Sequence, residues 1–416
     1  MNFKKNTQVK NKRLLFGIVD ADLLDNGTRH PNLVLMKIAG YLRDHKIPYK
    51  FIFKEDEDLK KYSNIYVSKV FTFSKDPVFL KNQKIDKKKI VTGGTGYYAE
   101  EEDFEKFSSL RDKDMKKLEL DPNLPGFKMT CQMPDYTLYD NYIANEINNG
   151  KSPQQFKDYQ NYSIGFLTRG CIRKCPFCVN RNISSVYNYS NLSNFVDNSR
   201  PMIYLWDDNF FASKSWKPLL QELQSTKKPF QFRQGLDIRL LNEEKANLLS
   251  KSRYHGDFIF AFDQLKDKEI ICKKLKIWKQ HSKKTTKLYL FCGYEISDDQ
   301  SLLDDVLNIF ERIEVLMKYG CLGYIMRHEN HKKHPLNNIY VQIARWGNQP
   351  QFYKKMSFKE FIDRNQYWTK TDKECMSLKT YKAFIKKYSK GKFKAIFDYY
   401  FNMKYDDMIE PSLWTK

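Results

Sequence analysis

The repeated alternation of short apolar runs with amphipathic stretches is the feature that most constrains the fold. From Ser163 onward, six apolar runs fit β-strands, and the segments between them have helical periodicity. The runs are YSIGFLTRG, MIYLWDDNF, PFQFRQG, GDFIFAFDQ, LYLFCGYE and GCLGYIMR. One intervening stretch has the i, i+3, i+4, i+7 pattern of a one-faced helix, at Leu303, Val306, Leu307, Phe310 and Ile313. Six consecutive βα units predict a partial barrel, and ligands of such folds bind at the carboxyl ends of the strands.

The first hundred residues show the same alternation and predict a smaller parallel sheet. RLLFGIVDAD, KIPYKFIF, SNIYVSKVF and KKIVTGG fit strands, and PNLVLMKIAGYLRDH fits a helix that begins at its proline. Later in the chain, the tail from Gln349 has helical spacing in FKEFIDRNQYW and LKTYKAFIKKY, which predicts an amphipathic cap. The predicted organisation is a sheet domain (1–100), a charged and irregular connector (101–155), a barrel core (156–345) and a helical, basic and aromatic extension (346–416).

The chain is strongly basic, with 72 Lys and Arg against 50 Asp and Glu and a formal net charge of +22. A positive field of this size attracts nucleic acid and other polyanions. Lys, Asn, Tyr, Phe and Ile are also abundant, as an AT-rich genome produces, and Lys far outnumbers Arg, the better partner for phosphate. Nucleic-acid binding and a compositional origin of the charge are therefore both open.

No segment of the sequence predicts export or membrane insertion. The basic start is followed by an apolar run from Leu14 to Val19, which Asp20 ends. This run is shorter than a signal-peptide core and far shorter than the roughly 20 residues of a membrane span. Without an export signal, clustered cysteines suit a reducing compartment, where they serve metal binding or catalysis rather than disulfides. We therefore expect a cytoplasmic protein.

The segment GFLTRGCIRKCPFCVNR places Cys171, Cys175 and Cys178 in a C-x3-C-x2-C pattern, directly after the first barrel strand. Thiolates are the standard ligands of iron–sulfur clusters, and three of them leave one iron of a 4Fe–4S cluster open to a further ligand. Zinc is the main alternative, but structural zinc sites close with four ligands, and Cys131 and His255 lie far away in sequence. The spacing therefore favours an iron–sulfur cluster.

This motif, after the first strand of a βα barrel, resembles that of the radical S-adenosylmethionine (SAM) enzymes. In that family the residue before the last cysteine is aromatic, as Phe177 is. The resemblance covers about residues 160–330. It implies that SAM binds the open iron through its amino and carboxylate groups. It further implies that an electron from an external donor cleaves SAM to methionine and a 5′-deoxyadenosyl radical, which abstracts hydrogen from a substrate that the sequence does not identify.

The segment MIYLWDDNFF, at the end of the second barrel strand, strengthens the resemblance, since many related enzymes with a cobalamin-type domain carry a similar Asp-Asp-x-Phe. Asp207, Asp208 and Asn209 are therefore candidates for holding the SAM amino group, because carboxylates bind an ammonium by charge-assisted hydrogen bonds. Capping of the strand–helix junction is the alternative. The candidates at the ends of the next three strands are Gln234, Arg239, Asp263, Gly293 and Glu295. Arg239 is a candidate for the SAM carboxylate and Asp263 for the SAM ribose.

The first domain resembles a cobalamin-binding module. PNLVLMKIAGYLRDHKIPYKFIF is similar to its helix and second strand, and Ser68 falls on its third strand. VTGGTGY, with Gly93 and Gly94, is similar to its fourth strand and glycine loop. The motif Asp-x-His-x-x-Gly, which supplies the usual histidine to cobalt, occurs nowhere in the sequence. The domain therefore either binds cobalamin without that ligand or keeps only the fold, and the second alternative is favoured.

The remaining histidines and cysteines give weaker patterns. RHENHKKHP places His328, His331 and His334 three residues apart, but a solvated polar loop is a better interpretation than a metal site. Five further cysteines are scattered without paired spacing, and most fit buried apolar positions: Cys131, Cys272, Cys292, Cys321 and Cys375.

The predicted fold is α/β, with an N-terminal Rossmann-like parallel sheet, a partial (β/α)6 radical SAM barrel and a helical C-terminal tail. The leading functional hypothesis is a radical SAM enzyme acting on an unidentified substrate. A second hypothesis is a member of the same superfamily that modifies tRNA or DNA, as the charge and the basic aromatic tail suggest. A third is a non-catalytic protein with a structural iron–sulfur or zinc site.

Overall fold

The computed structural model describes residues 14–28, 30–82, 85–98, 116–181, 183–369 and 373–410. Within these ranges the chain forms two compact units. The first unit holds the described residues up to 167, with 178–184 and 189–204, and the second holds 168–177, 185–188 and the residues from 205 onwards.

A four-stranded parallel sheet forms the centre of the first unit. Its strands are β1 (Phe16–Asp20), β2 (Tyr49–Phe51), β3 (Asn64–Ser68) and β4 (Ile90–Gly93), in the spatial order β2-β1-β3-β4. Strand β1 is buried along its whole length, as expected of a central parallel strand that is covered on both faces. The helices of this unit are α1 (Ala21–Asn26), α2 (Leu33–Asp44), α3 (Val78–Asn82), α4 (Thr95–Tyr98), α5 (Asp140–Asn148) and α6 (Lys157–Asn161). The predicted parallel sheet is confirmed.

The described part of the expected connector contributes to the core of the first unit. Leu124, Phe127, Tyr136 and Tyr139 are buried in the same apolar cluster as residues of β1 and α2. The Tyr139 hydroxyl also donates a hydrogen bond to the buried carboxylate of Asp20 at the end of β1 (2.8 Å). This segment therefore does more than connect: its aromatic side chains complete the core. Their spacing has neither a helical nor a strand period, so the sequence pattern did not reveal the packing.

Strands β5 (Tyr162–Gly165) and β8 (Met202–Leu205) are neighbours, and the chain enters the second unit at the last residue of β8. Arg200, just before β8, is buried and donates hydrogen bonds to the carbonyl oxygens of Tyr136 (2.9 Å), Tyr159 (2.7 Å) and Tyr162 (3.2 Å). Its guanidinium therefore joins three separate segments of the first unit.

Gly94, which follows β4, has a φ of +103°, a conformation that only glycine adopts easily. A Cβ at this position would lie 2.4 Å from the carbonyl oxygen of Lys69 and 3.0 Å from Ser68 Oγ. Gly96 donates its N–H to the same Lys69 carbonyl (2.8 Å). The glycines thus allow this loop to approach the chain that continues from β3.

Gly94→Ala should destabilise the protein by about 3 kcal/mol or more, because backbone strain and a close contact with a carbonyl act together. Gly126→Ala is the matched control, since its φ is +78° but nothing lies within 4 Å of an added Cβ. The control should cost only about 1 kcal/mol. Urea unfolding measures both losses, and equal losses would show that the contact with Lys69 is unimportant.

The second unit contains an antiparallel hairpin of β6 (Thr168–Gly170) and β7 (Val186–Asn188), and strand β9 (Phe230–Phe232). It also contains a parallel sheet of β10 (Phe258–Ala261), β11 (Thr286–Cys292) and β12 (Leu322–Arg327), in that order. The helices are α7 (Trp216–Ser225), α8 (Glu243–Ser250), α9 (Lys268–His281), α10 (Asp299–Lys318), α11 (Asn338–Gly347), α12 (Pro350–Tyr353), α13 (Phe358–Trp368), α14 (Met376–Tyr388), α15 (Lys392–Asn402) and α16 (Tyr405–Met408).

Strands and helices lie where the sequence predicts the βα units. Each of the six apolar runs contains a strand, and the one-faced helix is α10. In the second unit, the parallel bridges Phe230↔Tyr254 and Leu236↔Phe260 join the β9 region to the segment of β10. The mixed α/β architecture with parallel sheets is confirmed, whereas the arrangement of all six strands as one partial barrel stays a prediction.

The C-terminal helices pack through one face, as their spacing predicts. In α10, the Phe310 ring contacts Phe358 of α13 (5.6 Å between ring centroids) and Phe401 of α15 (4.9 Å). Phe384 of α14 contacts the same Phe401 ring (6.0 Å). The helical and amphipathic character of the tail is therefore confirmed, whereas its role as a cap on a barrel stays a prediction. Among the described helices, none combines the length and the apolar character that crossing a bilayer requires.

Candidate cofactor site at the cysteine loop

The three spaced cysteines lie on the loop that follows β6. Cys171 and Cys175 belong to the second unit, and the boundary between the units falls between Phe177 and Cys178. None of the three cysteines is in a disulfide, and all three are partly buried. Among the residues that the structure describes, no group of three His, Cys, Asp or Glu side chains is arranged to hold a metal ion. The cluster assignment therefore rests on the donor set, and it stays a prediction.

The sulfur atoms of this loop accept hydrogen bonds from backbone amides two residues further on. Cys171 Sγ accepts from the Arg173 N–H (3.3 Å), and Cys178 Sγ accepts from the Asn180 N–H (3.4 Å). Hydrogen bonds to cysteine sulfurs favour the thiolate form and tune iron–sulfur clusters. Burial raises the pKa of the Cys175 thiol, and the nearby Asp263 carboxylate adds to this effect. A bound metal cation would reverse that preference, because a coordinating thiol is deprotonated.

Two carboxylates from the end of β8 hold the strand that leads into the loop. Asp207 Oδ1 accepts hydrogen bonds from both the backbone N–H and the hydroxyl of Thr168 (2.6 Å each). Asp208 Oδ2 accepts from the N–H of Gly170 (2.7 Å) and pairs with the Arg169 guanidinium (3.3 Å). Both acids therefore position β6 just before Cys171, in addition to any contact with a ligand.

Asn209 lies directly against the first cysteine. Its side chain is 3% exposed, and its amide Nδ2 donates to Cys171 Sγ (3.3 Å) and to Asp237 Oδ2 (3.4 Å). The reverse orientation of the amide would place its oxygen against two acceptors, so these partners fix the orientation. The amide oxygen Oδ1 is buried and has no hydrogen-bond partner within the described chain.

Asp237, in the turn after β9, is the centre of an ion-pair network. Its carboxylate accepts from Arg239 Nε (2.7 Å) and from Arg173 Nε (2.8 Å), which belongs to the cysteine loop. Burial alone would raise the pKa of Asp237, but the hydrogen bonds and charges of the two arginines outweigh it and lower the pKa. Arg239 also donates to Asp267 (2.6 Å). The network fixes the loop's position relative to β9.

Asp263 follows β10 and carries a second buried oxygen without a partner. Within the described chain, its Oδ1 is shielded from solvent and accepts no hydrogen bond. Burial raises the pKa of this carboxyl to about 6, although the Arg312 and Arg239 charges lower it. The buried Arg312 donates to the carbonyl oxygens of Phe262 (3.1 Å), Asp263 (3.0 Å) and Phe291 (3.0 Å), and so joins the ends of β10 and β11.

The remaining predicted site residues are Phe177, Gly293, Gln234 and Glu295. Phe177 stacks on Phe291 at the end of β11 (3.9 Å between centroids). Gly293 has a φ of +75° and donates its N–H to Asp305 (2.7 Å). The side chains of Gln234 and Glu295 are exposed. Their SAM-binding roles stay predictions.

The three histidines of RHENHKKHP make local contacts. His331 Nδ1 lies 2.6 Å from the carbonyl oxygen of His328, and His334 Nε2 lies 2.9 Å from the Asp299 carboxylate. His331 and His334 are buried, so the expected solvated loop is wrong for these two residues; no metal role is proposed for the three histidines.

The glycine loop of the first unit is the part that resembles a cobalamin-binding module. The atoms that Gly94 and Gly96 approach belong to the chain itself, at Lys69 and Phe71. Ser68 Oγ accepts a hydrogen bond from Asn32 Nδ2 (2.8 Å), and the cleft beside it has a volume of about 30 Å³. Among the described residues, the glycine loop therefore packs against the chain's own backbone at Lys69 and Phe71.

Sequence reasoning missed Asp237 and Arg312. Asp237 lies at a strand end, as the predicted site residues do. Arg239, two positions later, was the sequence feature that could have identified it as part of the site. Arg312 lies on α10 among other charged residues, and nothing in its spacing distinguishes it from an exposed side chain.

No protein-family model and no curated protein sequence matches the chain. Several solved structures are similar in fold. One is the radical SAM methyltransferase TsrM from Kitasatospora setae, with cobalamin and a 4Fe–4S cluster bound (TM-score 0.46, 11% identity, 75% of this chain and 72% of that chain). Another is Streptococcus suis SuiB bound to SAM (TM-score 0.30, 12% identity, 50% of this chain and 62% of that chain). A third is SuiB bound to the precursor peptide SuiA (TM-score 0.32, 12% identity, 57% of this chain and 58% of that chain). These likenesses concern the fold alone.

Proposed function

We propose that this chain is a radical SAM enzyme that holds a 4Fe–4S cluster through Cys171, Cys175 and Cys178. The C-x3-C-x2-C loop after β6 carries the proposal, because it combines three closely spaced cysteines with backbone N–H donors at two of the sulfurs. Three thiolates on one short loop favour a cluster with an open iron over a closed zinc site.

The residues around the loop would position the ligands. When bound, the cluster and SAM supply one-electron cleavage of SAM to methionine and a 5′-deoxyadenosyl radical that abstracts hydrogen. Asp207 and Asp208 hold the strand before Cys171, and the Asn209 amide donates to its sulfur. Fixed donors and acceptors of this kind keep reacting groups in position at no further cost when the ligand binds.

Two buried oxygens are suited to receive SAM. Asn209 Oδ1 and Asp263 Oδ1 are both buried acceptors without a partner in the described chain. Buried acceptors are costly to leave unsatisfied, so a donor from a bound ligand would be favourable. We assign Asn209 to the SAM amino group and Asp263 to a ribose hydroxyl. Arg239 is engaged by Asp237 and Asp267, and its part is therefore to support the loop.

We propose that the first unit acts as a scaffold without cobalamin. The close approach of Gly94 to Lys69 and the absence of Asp-x-His-x-x-Gly from the sequence support this role.

The proposal is tested by anaerobic incubation of the iron- and sulfide-reconstituted protein with SAM and dithionite. We expect 5′-deoxyadenosine and methionine in equal amounts, at least slowly, without the substrate. Protein that carries the cluster but forms no 5′-deoxyadenosine would support the alternative of a non-catalytic structural site.

Asp263→Ala should weaken SAM binding by roughly tenfold, because it removes an acceptor from the proposed ribose site. Asp257→Ala is the matched control, since Asp257 precedes the same strand at its opposite end and pairs with Lys287 (3.1 Å). Equilibrium dialysis with labelled SAM measures both affinities. Unchanged binding by Asp263→Ala would show that the ribose assignment is wrong.

A further inference from the structure

The C-terminal helices contain a basic stretch without acidic residues. Residues 375–397 contain seven lysines and no Asp or Glu. They form α14, the short loop after it and the first half of α15. Residues 270–294 also contain seven lysines and no Asp or Glu, so the C-terminal stretch is distinguished by the side chains beside it and not by its charge alone. The excess of lysines creates a positive surface.

The lysines are directed to solvent by the packing of α14. Phe384 and Tyr388 are buried on the opposite side of this helix. Lys379, Lys382 and Lys386, at i, i+3 and i+7, are exposed along one side. We call this side, together with the exposed Lys390, Lys392 and Lys394, the lysine face.

Most of the lysine face is not neutralised by acids. Lys382 pairs with Glu374, and Lys387, beside the face, pairs with Asp299 (2.5 Å). Within the described residues, no carboxylate lies within ion-pair distance of Lys379, Lys386 or Lys390. These charges therefore remain available to phosphates.

An exposed aromatic pair stands at the end of the preceding helix. Tyr367 and Trp368, in the last turn of α13, are 81% and 61% exposed. Their rings meet edge to face, with centroids 5.9 Å apart, and the Arg364 guanidinium lies 5.7 Å from the Trp368 centroid. Large aromatic side chains with this exposure mark binding surfaces.

Hydrogen bonds bring the aromatic pair to the lysine face. Asn365 donates to the Ser377 hydroxyl (3.2 Å), and Gln366 Oε1 accepts from the Cys375 N–H (2.7 Å). The last turn of α13 is thus fixed against the first turn of α14. Tyr367 and Trp368 follow these anchors directly, so the aromatic pair is carried near the start of α14, the helix that bears most of the lysine face.

We propose that α13–α15 form a binding surface for single-stranded nucleic acid. Lysines that track a phosphate backbone, next to aromatic faces on which bases stack, are the two elements of such surfaces. A duplex buries its bases and would leave the aromatic pair unused, and an anionic membrane would use the lysines alone. The inference holds whether or not the chain cleaves SAM, since it rests on different residues.

The test measures fluorescence anisotropy of labelled 20-residue oligouridylate and oligothymidylate with the full chain, over a range of salt concentrations. The triple variant Lys379→Gln, Lys386→Gln, Lys390→Gln, which removes lysines without an acidic partner in the described residues, should weaken binding by roughly 10- to 100-fold. It should also reduce the slope of log affinity against log salt by about 2, since each single-strand phosphate contact contributes about 0.7. The double variant Tyr367→Ala, Trp368→Ala should weaken binding by about tenfold while leaving the salt slope unchanged.

A second triple variant controls for net charge. Lys266→Gln, Lys273→Gln, Lys276→Gln removes three exposed lysines from α9 and the loop before it, and it should bind like the parent. Equal loss in both triple variants would overturn the proposal, as would full binding by the aromatic variant. Tighter binding to phosphatidylserine vesicles than to either oligonucleotide would also overturn it. Tighter binding of oligouridylate or of oligothymidylate would support it and identify RNA or DNA as the partner.

Discussion

Alanine at Cys171, Cys175 or Cys178 is expected to remove most of the iron from the anaerobically reconstituted protein. A 4Fe–4S cluster with only two thiolate ligands leaves two irons exposed to water and thiol, and such clusters are lost readily. Iron should fall from about four per chain to well below one, and 5′-deoxyadenosine formation should fall below detection.

The controls for this prediction are cysteines outside the loop. Cys131→Ala replaces an exposed thiol and Cys272→Ala a half-buried one, and both variants should keep the parent's iron content. Thermal unfolding without iron separates loss of the cluster from loss of the fold. If one of the three alanine variants keeps the full iron content, the cysteine that it replaces is not a ligand of the cluster.

Arg312→Met is expected to destabilise the protein by about 3–5 kcal/mol. The substitution leaves the carbonyl oxygens of Phe262, Asp263 and Phe291 without their common donor. Each buried acceptor left unsatisfied costs roughly 1–3 kcal/mol, and the Asp263 carboxyl also loses a compensating positive charge. Methionine keeps most of the apolar packing of the arginine stem. The loss of stability therefore measures the contribution of the guanidinium group.

Arg253→Met is the matched control for Arg312→Met. Arg253 is exposed, and its guanidinium donates one hydrogen bond, to the Lys227 carbonyl (2.5 Å). Its replacement should cost less than about 1 kcal/mol. Urea unfolding of the two variants gives the difference in the free energy of unfolding. A loss at Arg312 no greater than that at Arg253 would show that the bridge between β10 and β11 contributes little.

The positions of strands and helices could be predicted from the sequence because local periodicity decides them. The six apolar runs after Ser163 each contain a strand, and FKEFIDRNQYW matches α13 at both ends. Ser357 is the N-cap of that helix, and Glu360 completes its capping box, so the start is determined by neighbouring residues alone.

The partners of polar side chains could not be predicted, because they lie far apart in sequence. Asp207 and Asp208 were predicted to bind SAM, which stays a prediction; their hydrogen bonds to the backbone of β6, almost 40 residues earlier, had no signal in the sequence. Only the folded chain brings these segments together. The same holds for Arg173 and Asp237, which belong to different loops.

The role of the expected connector was also hidden from local patterns. Tyr136 and Tyr139 are buried, and their hydroxyls bond to groups far along the chain, at Phe195 and Asp20. An irregular segment acquires such a role through tertiary contacts, which leave no period in the sequence. The sequence predicted a ligand-binding role for the glycine loop. In the structure, Gly94 has a conformation that only glycine adopts easily, and this conformation lets the loop pack against Lys69 of the same chain.

The central claim is that three cysteines on one loop hold a 4Fe–4S cluster, and the most direct test is metal and sulfide analysis of the unmodified chain. Protein purified and reconstituted without oxygen should contain about four iron and four acid-labile sulfide per chain, with zinc well below one per chain. Stoichiometric zinc without sulfide, in protein kept strictly anaerobic, would contradict the account.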